Sequence, residues 1–374
     1  MVLEWLRLVD FRNVSQAALR FHPGINLLIG DNGQGKSNLL EAVGLLATGR
    51  SFRRAPPEVL RRHGCKGFYL QGEIVSYELA HRLEFQGVGN RQTAQLNGKS
   101  VAMASTMDRV LAAVLLTPDS PDLVHGGPGE RRDFIDWVVF SSHRRHATTV
   151  RDYQNALRGR NRLLKKNTLH PGEMDAWEDQ LAVLGARILV SRQRSLRQIQ
   201  ENLPSFLEAL GLDDRLFELS YSSQLEQDGV GMEETGLVNQ YRTLLQHHRG
   251  NDHRLRTTSV GPHRDDIRFL FAQRPLGRFG SRGQKKRFIL ALKFSERQLL
   301  QAAVHERPLL LLDDPASELD REGIARLLRL VDREGQQIFI TTVKEDVFSS
   351  THVPYHAFRV QAGQFEPLME YAQS

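Results

Sequence analysis

Apolar and polar positions follow three different patterns along this 374-residue chain. From residue 1 to about 120, short runs such as LEWLRLVDF, FYLQGEIV and HRLEFQGV alternate with turn residues, which is typical of strands. From about 129 to 250, apolar residues recur at helical spacing, most clearly at Trp177, Leu181, Leu184, Ile188 and Ile199. From about 255 onward, continuous apolar runs return, and we interpret RFLF, RPLLLLDD and QQIFITT as buried parallel strands.

These patterns predict an α/β protein with an inserted, mainly helical lobe. Glycine-rich and polar stretches, HGGPGE and HHRGNDH, lie on the two sides of the helical region and mark its ends. We therefore predict the N-terminal part of an α/β domain at 1–125, a helical insertion at 126–252 and the C-terminal part of the α/β domain at 253–374.

A glycine-rich loop lies between an apolar strand and a helical stretch in GINLLIGDNGQGKSNLLEAVGLL, residues 24–46. Three glycines in one loop give up backbone order, which indicates that something approaches the backbone closely. The pattern Gly30-x-x-x-x-Gly35-Lys36-Ser37 is that of a phosphate-binding loop, in which the lysine reaches the outer phosphates and the serine ligates Mg²⁺. We expect nucleotide contacts from Gly30, Asp31, Asn32, Gly33, Gln34, Gly35, Lys36, Ser37 and Asn38.

A second candidate site is the pair of acids that ends the apolar run PLLLLDD. A carboxylate at the C-terminal end of a strand is expected beside the phosphate loop, where Asp313 would hold Mg²⁺. The next acid, Asp314, would orient an attacking water. Strands often end in acidic turns, so the acid pair alone is weak evidence. It indicates a nucleotide site only in combination with the glycine loop.

Cysteine usage and hydropathy favour a protein of the cytoplasm. Cys65 is the only cysteine, which excludes a disulfide within the chain and a zinc site built from several thiolates. No apolar run approaches 18 residues, and the N-terminal stretch MVLEWLRLVDFRN carries charges among its apolar residues. We therefore expect neither a membrane span nor a secretory signal, and no membrane partner.

Positive charge is concentrated in one segment of a chain whose net charge is +6. Between residues 131 and 166 there are ten Lys or Arg against three Asp, an excess of seven. From the residues alone, two interpretations stay open: a solvated helix face, or a surface that contacts nucleic-acid phosphates. The ten cations are Arg131, Arg132, Arg144, Arg145, Arg151, Arg158, Arg160, Arg162, Lys165 and Lys166.

Several longer stretches together resemble one family. They include LRLVDFRNV, GDNGQGKSNLLEA, TGRSFR, PDLVHGGPGERRDFID, TTSVGPHRDDI, FGSRGQKKRFILALK and LLLLDDPASELD, and with IFITT they run from residue 3 to residue 342. The chain resembles the RecF family of DNA replication and repair proteins, and the implied fold is an ABC-type ATPase head of the P-loop class with an inserted helical lobe. The heptad coiled coil of structural-maintenance heads and the Cys-x-x-Cys hook of the break-repair ATPase are absent from the sequence.

The resemblance implies a nucleotide site shared by two copies of the chain. ATP would lie between the glycine loop of one copy and the Ser281-x-Gly283 helix start of the other. Asp314 would act as the water-orienting base, with Lys36 as the second catalytic residue, in a slow ATPase that works as a switch. The cofactor-binding residues that the resemblance adds are Ser281, Gly283, Gln284, Asp320 and Thr342.

The resemblance also implies partners. Members of the family bind DNA at single-strand/double-strand junctions of gaps and, with RecR and RecO, help to load the RecA recombinase in gap repair and the SOS response. This favours a phosphate-contacting role for the basic segment, and we select Arg158, Arg160 and Arg162 as DNA-binding residues.

Some residues depart from the family pattern, and two alternatives remain. Lys285 and Lys286 follow GQ, where the family usually has Gln-Gln or Gln-Arg, and Pro315 stands where Val is common. A small-molecule or nucleoside kinase would need the glycine loop alone, without Ser281-x-Gly283 or SELD. A nuclease-associated ATPase of the same superfamily would need a metal-binding nuclease domain, for which this chain has no room.

Overall fold

A computed structural model describes residues 1–53, 55–101, 110–166, 171–225, 234–343 and 355–368. The chain divides into two compact units. Unit 1 comprises Met1–Pro121, Ser205–Asp213 and Ser281–Ser374, and unit 2 comprises Asp122–Pro204 and Asp214–Gly280. Within the described residues, no helix is long and apolar enough to span a membrane.

The strands of the described residues are β1 (Val2–Phe11), β2 (Val14–Arg20), β3 (Ile25–Ile29), β4 (Gly67–Ser76), β5 (Leu79–Val88), β6 (Arg91–Leu96), β7 (Lys99–Val101), β8 (Ala113–Leu116), β9 (Phe217–Ser222), β10 (Asp266–Phe271), β11 (Arg274–Pro275), β12 (Leu309–Leu312), β13 (Ile338–Thr342), β14 (Tyr355–Gln361) and β15 (Gln364–Pro367). The helices are α1 (Lys36–Thr48), α2 (Pro57–Leu60), α3 (Asp122–His125), α4 (Pro128–Ser142), α5 (Arg145–Leu164), α6 (Pro171–Ala209), α7 (Glu234–Leu255), α8 (Leu276–Phe279), α9 (Arg282–Val304), α10 (Pro315–Glu318) and α11 (Arg321–Glu334), with a 3₁₀ turn at Asp214–Leu216.

Unit 1 contains two six-stranded sheets. One is antiparallel, in the order β2-β1-β4-β5-β6-β7, and the other has the order β15-β14-β3-β13-β12-β8. In the second sheet, β14, β3, β13, β12 and β8 run parallel, and every residue of β3, β12 and β13 is buried. Both faces of such strands are covered, which explains their continuous apolar sequences and confirms the prediction for β12 and β13.

The parallel sheet brings the predicted motifs to one edge. In the ladder, Thr342 at the end of β13 is the partner of Ile29 at the end of β3, and Leu312 at the end of β12 is the partner of Ile340. The glycine loop follows β3, and the two acids follow β12. Since the carboxyl ends of parallel strands meet at the same edge, the loop and the acids are neighbours in the fold.

Helix α1 packs between the two sheets of unit 1. It begins at Lys36, directly after the glycine loop, and it packs against β8 and β13 of one sheet and β1, β4 and β5 of the other. Its residues from Leu39 to Ala47 are all buried, because the helix is enclosed from both sides. Gly49 ends it with φ 69°, a left-handed conformation that favours glycine.

Unit 2 combines the helices α4, α5, α6 and α7 with a three-stranded antiparallel sheet of order β11-β10-β9. The interpretation of RFLF as a parallel strand is wrong: it lies in β10, where Phe269 is the antiparallel partner of Leu219 in β9. Strand β9 comes from inside the region predicted to be helical. Its pairing with β10 extends unit 2 to Gly280, beyond the predicted limit at residue 252, and residues 205–213 group with unit 1.

Candidate nucleotide-binding site

The loop between β3 and α1 is held in place by two neighbouring segments. The Gln34 side-chain Oε1 accepts a hydrogen bond from the Ala362 amide (2.7 Å), and the Gln34 carbonyl accepts one from the Gly363 amide (2.8 Å). Asn13 Nδ2 also donates to the Gln34 carbonyl (3.0 Å). The turn between β14 and β15 and the turn between β1 and β2 therefore hold the loop in place.

Two of the loop glycines are required by the protein itself. A Cβ atom on Gly30 would lie 2.2 Å from the Val360 carbonyl oxygen of β14. Gly35 has φ 119°, and a Cβ there would lie 2.9 Å from Asn13 Oδ1. At Gly33, with φ 80°, a Cβ would meet nothing within 4 Å. The close approach inferred from the sequence is thus made by neighbouring chain segments at Gly30 and Gly35.

Lys36 is a buried cation whose hydrogen bonds go to backbone carbonyls. The residue is only 6% exposed in the folded chain, and Nζ donates to Gly30 O (2.5 Å) and Asp31 O (2.8 Å). Burial lowers the pKa of Lys36, although the nearby carboxylates of Asp314, Asp313 and Asp31 act to raise it. A phosphate at this position would favour the charged lysine and offset the desolvation of its ammonium group.

Ser37 and Asp313 meet as the sequence predicts. Ser37 Oγ donates to Asp313 Oδ1 (2.7 Å), and Thr341 Oγ1 donates to the same oxygen (2.7 Å). Thr341 Oγ1 also accepts a hydrogen bond from the Asp314 amide (2.8 Å), so this hydroxyl contacts the Asp313 carboxylate and the Asp314 backbone. Sequence reasoning missed Thr341, although its place at the end of the buried strand IFITT put it beside the expected site.

The oxygen atoms of Ser37 and Asp313 fit Mg²⁺, which prefers a few protein oxygens together with phosphate oxygens and water. Within the described ranges, no group of three or more His, Cys, Asp or Glu side chains could hold a metal ion alone. Asp313 is nearly buried, which keeps its carboxylate in a fixed position. The donor set therefore suits a metal bound jointly with a nucleotide.

Asp314 has a strained backbone conformation, with φ 51° and ψ 52°. It is the N-cap of α10, and its carbonyl accepts hydrogen bonds from the Ser317 amide (3.1 Å) and hydroxyl (2.9 Å). Pro315 occupies the first position of α10, where proline is favoured because no helical partner is needed for its nitrogen. The departure at Pro315 thus suits the turn that carries Asp314.

Thr342 lies next to the beginning of the glycine loop. It is buried at the end of β13, and its carbonyl accepts a hydrogen bond from the Gly30 amide (3.2 Å). The structure therefore places Thr342 beside Gly30, the residue whose carbonyl also accepts a hydrogen bond from Lys36.

Ser281 and Gln284 form the start of α9. Ser281 Oγ accepts from the Gln284 amide (3.2 Å), and Gln284 Oε1 accepts from the Ser281 amide (2.8 Å), so the two residues make a capping box. Ser281 and Gly283 are exposed. Lys286 Nζ lies 3.5 Å from the Ser317 carbonyl, close to the turn after Asp314.

Asp320 caps the next helix. Its Oδ1 accepts a hydrogen bond from the Gly323 amide (2.7 Å) at the start of α11. This contact gives Asp320 a role within its own chain, and the nucleotide contact that the resemblance implies for it stays a prediction.

A buried acid beside the loop was missed by sequence reasoning. Glu41 of α1 is fully buried and accepts two hydrogen bonds from Arg12 (2.8 and 2.7 Å) and one from Ser51 Oγ (2.5 Å). Arg53 Nη1 donates to Asn38 Oδ1 (2.9 Å). The network ties the segments RNVS and TGRSFR to α1, and a glutamate on the buried face of a helix was the available signal.

The selection of Arg160 as a DNA contact is wrong. Arg160 is fully buried in unit 2, where Nη1 donates to Asp252 Oδ2 (2.7 Å) and Nη2 donates to Glu178 Oε1 (3.0 Å). It therefore lies in the core and is satisfied there by two carboxylates. Arg158 and Arg162 are exposed, as a phosphate-contacting surface requires.

Comparisons with known proteins agree with this geometry. A family model described as the RecF/RecN/SMC N terminal domain matches residues 2–366. A protein named DNA replication and repair protein RecF from Magnetococcus marinus is 47% identical over 372 residues, which cover 98% of this chain and 97% of that protein. A protein of the same name from Symbiobacterium thermophilum is 35% identical over 97% of both.

Solved structures are similar as well. The structure described as the recombination mediator protein RecF-ATP in the RecFOR pathway has a TM-score of 0.88, with 28% identity over 98% of both chains. The Smc head bound to the C-winged helix domain of ScpA has a TM-score of 0.57 at 15% identity, which supports the ABC-type head fold alone.

Proposed function

The chain belongs to the RecF family, and we propose that it is an ATP-dependent, DNA-binding recombination mediator in DNA replication and repair. The names of its relatives and the solved RecF-ATP structure of the RecFOR pathway support this proposal. Its partners would be gapped DNA and proteins of the RecR and RecO type, and its product would be a gap loaded with recombinase in gap repair and the SOS response.

The observation that carries the nucleotide part is the meeting of Lys36, Ser37 and Asp313 at one edge of the parallel sheet. Lys36 would bind the outer phosphates, while Ser37 and Asp313 would hold Mg²⁺. The metal would neutralise charge on the phosphates. Asp314, fixed by its turn and by Thr341, would orient the attacking water.

We infer that ATP joins two copies of the chain. The first turn of α9 is exposed and carries no acid, so its amide groups form a positive helix end open to solvent. Ser281 and Gly283 at this helix end would contact the nucleotide bound by the loop of a second copy, and Gln284 would preserve the cap. A small-molecule kinase is not favoured, because it would use the loop within one copy and because the relatives are named RecF.

Sedimentation with and without Mg²⁺-ATP tests the proposal. We expect the wild-type protein to dimerise with ATP and Lys36→Met to stay monomeric. Asp314→Asn should bind ATP and dissociate more slowly than the wild type, because only the water-orienting group is lost. Lys99→Met, at an exposed position of β7, is the matched control and should dimerise normally. ATP-dependent dimers of Lys36→Met would overturn the assignment of the loop.

A further inference from the structure

Helix α5 carries a stripe of cations on its solvent face. At 3.6 residues per turn, Arg151, Arg158, Arg162 and Lys165 lie within about 60° of one another around the axis and span about 21 Å along it. All four are exposed. Lys165 is the C-cap of α5 and keeps a helical backbone, so it continues the same face. We call these four residues the α5 stripe.

The opposite face of α5 belongs to the core of unit 2. Tyr153 and Ala156 pack in one buried cluster, and Leu163 and Leu164 pack in another. Arg160, also on this face, is buried against Glu178 and Asp252. The helix is therefore fixed in rotation, and the α5 stripe points away from the core.

Within α5, a single acid accompanies the four cations of the stripe. The only acid of α5 is Asp152, 3.7 Å from Arg151. Arg158 and Arg162 are four residues apart, a spacing at which like charges repel. Arg158 donates to the neutral side chain of Asn155 (2.5 Å). A helix selected only for solubility would place acids at such positions.

Other arginines of unit 2 do meet acids. Arg187 lies 2.9 Å from Glu234, and Arg242 lies 2.5 Å from Asp179. Arg131, at the beginning of the basic segment, lies 2.7 Å from Asp266. Within the basic segment, Arg131 and Arg160 pair with acids, whereas Arg158, Arg162 and Lys165 of the α5 stripe make no ion pair with an acid of the described residues.

We propose that the α5 stripe binds the backbone phosphates of duplex DNA without reading its sequence. The inference rests on the proposed function and gives it a surface. Duplex DNA carries one negative charge per about 1.7 Å of its axis, so a stripe of about 21 Å faces several phosphates on either strand. Arginine and lysine on a straight helix surface neutralise phosphates and position a protein, whereas base recognition needs an element that enters a groove.

The test neutralises two members of the stripe in the full chain. The Arg158→Gln, Arg162→Gln double variant and the wild type are titrated with a labelled gapped duplex in the presence of Mg²⁺-ATP at several salt concentrations. We expect the slope of log affinity against log salt to fall by about 1.8, that is about 0.9 for each lost contact. Between about 50 and about 200 mM salt, the double variant would therefore lose about 12-fold less affinity than the wild type.

Arg145→Gln is the matched control, since Arg145 is exposed on α5 but lies about 120° from Arg151 around the axis. Its slope should equal that of the wild type. Two duplexes of different sequence should be bound alike by every variant. Equal slopes for the double variant and the wild type would overturn the α5 stripe while leaving the proposed function intact, whereas a wild type that binds no DNA would overturn both.

Discussion

The two units each bury a basic side chain, and they treat it differently. In unit 1, Lys36 donates to two backbone carbonyls, and burial lowers its pKa despite three acids nearby. In unit 2, Arg160 is fully buried and pairs with both Glu178 and Asp252. The positive charge of Lys36, at an edge of the sheet, is only partly compensated. The positive charge of Arg160, inside a core, is fully paired with carboxylates.

This difference separates a binding site from a structural element. A buried charge is costly unless it is paired, so an incompletely paired cation beside a glycine loop indicates that an anion completes the site. A fully paired cation leaves no capacity for a ligand, and the buried Asp252 depends on it, whereas Glu178 also pairs with Arg249. The same type of residue therefore has opposite meanings in the two units.

The largest expected effect is the loss of the Arg160 side chain. Arg160→Met leaves Asp252 buried without its cation, while Glu178 keeps its ion pair with Arg249, and we expect unit 2 to lose about 3–5 kcal/mol of stability in urea unfolding followed by circular dichroism. Arg158→Met removes an exposed arginine of the same helix and should change stability by less than about 0.5 kcal/mol. Similar losses for both variants would contradict the burial of Arg160.

A buried acid of unit 2 sharpens the contrast, because it is not fully compensated. Burial raises the pKa of Asp265 to about 6, although Tyr221 donates to its Oδ2 (2.9 Å). Between pH 3.8, its ordinary pKa, and about 6, the folded state holds a proton that the unfolded state releases, so stability falls as pH rises. Relative to Asp265→Asn, the wild type should lose up to about 3 kcal/mol across this window and change little above it.

The pH-dependent difference between these two proteins is measured by urea unfolding at a series of pH values. Titrations common to both, such as that of His263, whose pKa burial lowers to about 4, cancel in the difference. A wild type that instead lost stability relative to Asp265→Asn as pH falls would show that Asp265 is stabilised as a carboxylate, and would contradict the prediction.

Two alanine substitutions in the glycine loop test whether strand β14 constrains the loop. Gly30→Ala forces a Cβ against the Val360 carbonyl of β14, and we expect a loss of about 1–3 kcal/mol in thermal unfolding. Gly33→Ala meets no neighbour and should lose only about 1 kcal/mol through its positive φ. The reverse order would mean that β14 does not constrain the loop.

Among the substitutions at the nucleotide site, the smallest expected effect on stability is that of Lys36→Met. Because burial already disfavours the charged lysine, we expect its replacement to change the free energy of unfolding by less than about 1 kcal/mol. Calorimetric titration of the same variant with Mg²⁺-ATP should show no binding. A loss of stability comparable to that of Arg160→Met would make Lys36 a structural cation.

The glycine loop could be predicted because its parts are contiguous in sequence and its strand and helix are strongly patterned. The acids after β12 were also predictable, because they directly follow a continuous apolar strand and the carboxyl ends of parallel strands lie at the same edge of a sheet. Arg160 could not be placed, because Glu178 and Asp252 lie 18 and 92 residues away. Strand β9 was missed because a single strand of six residues lies among long helices, and with it the antiparallel pairing of β10 was missed.

The most direct test of the central claim, that Lys36 marks a phosphate site shared by two copies, is a sedimentation measurement on mixed variants with Mg²⁺-ATP. Lys36→Met lacks the phosphate-binding lysine but keeps Ser281, and Ser281→Arg keeps Lys36 but obstructs its helix start. We predict that each variant alone remains monomeric. An equimolar mixture should form dimers, because one of the two sites then combines an intact loop with an intact Ser281. A mixture that stays monomeric while wild-type protein dimerises, or a dimer of Lys36→Met alone, would contradict the account.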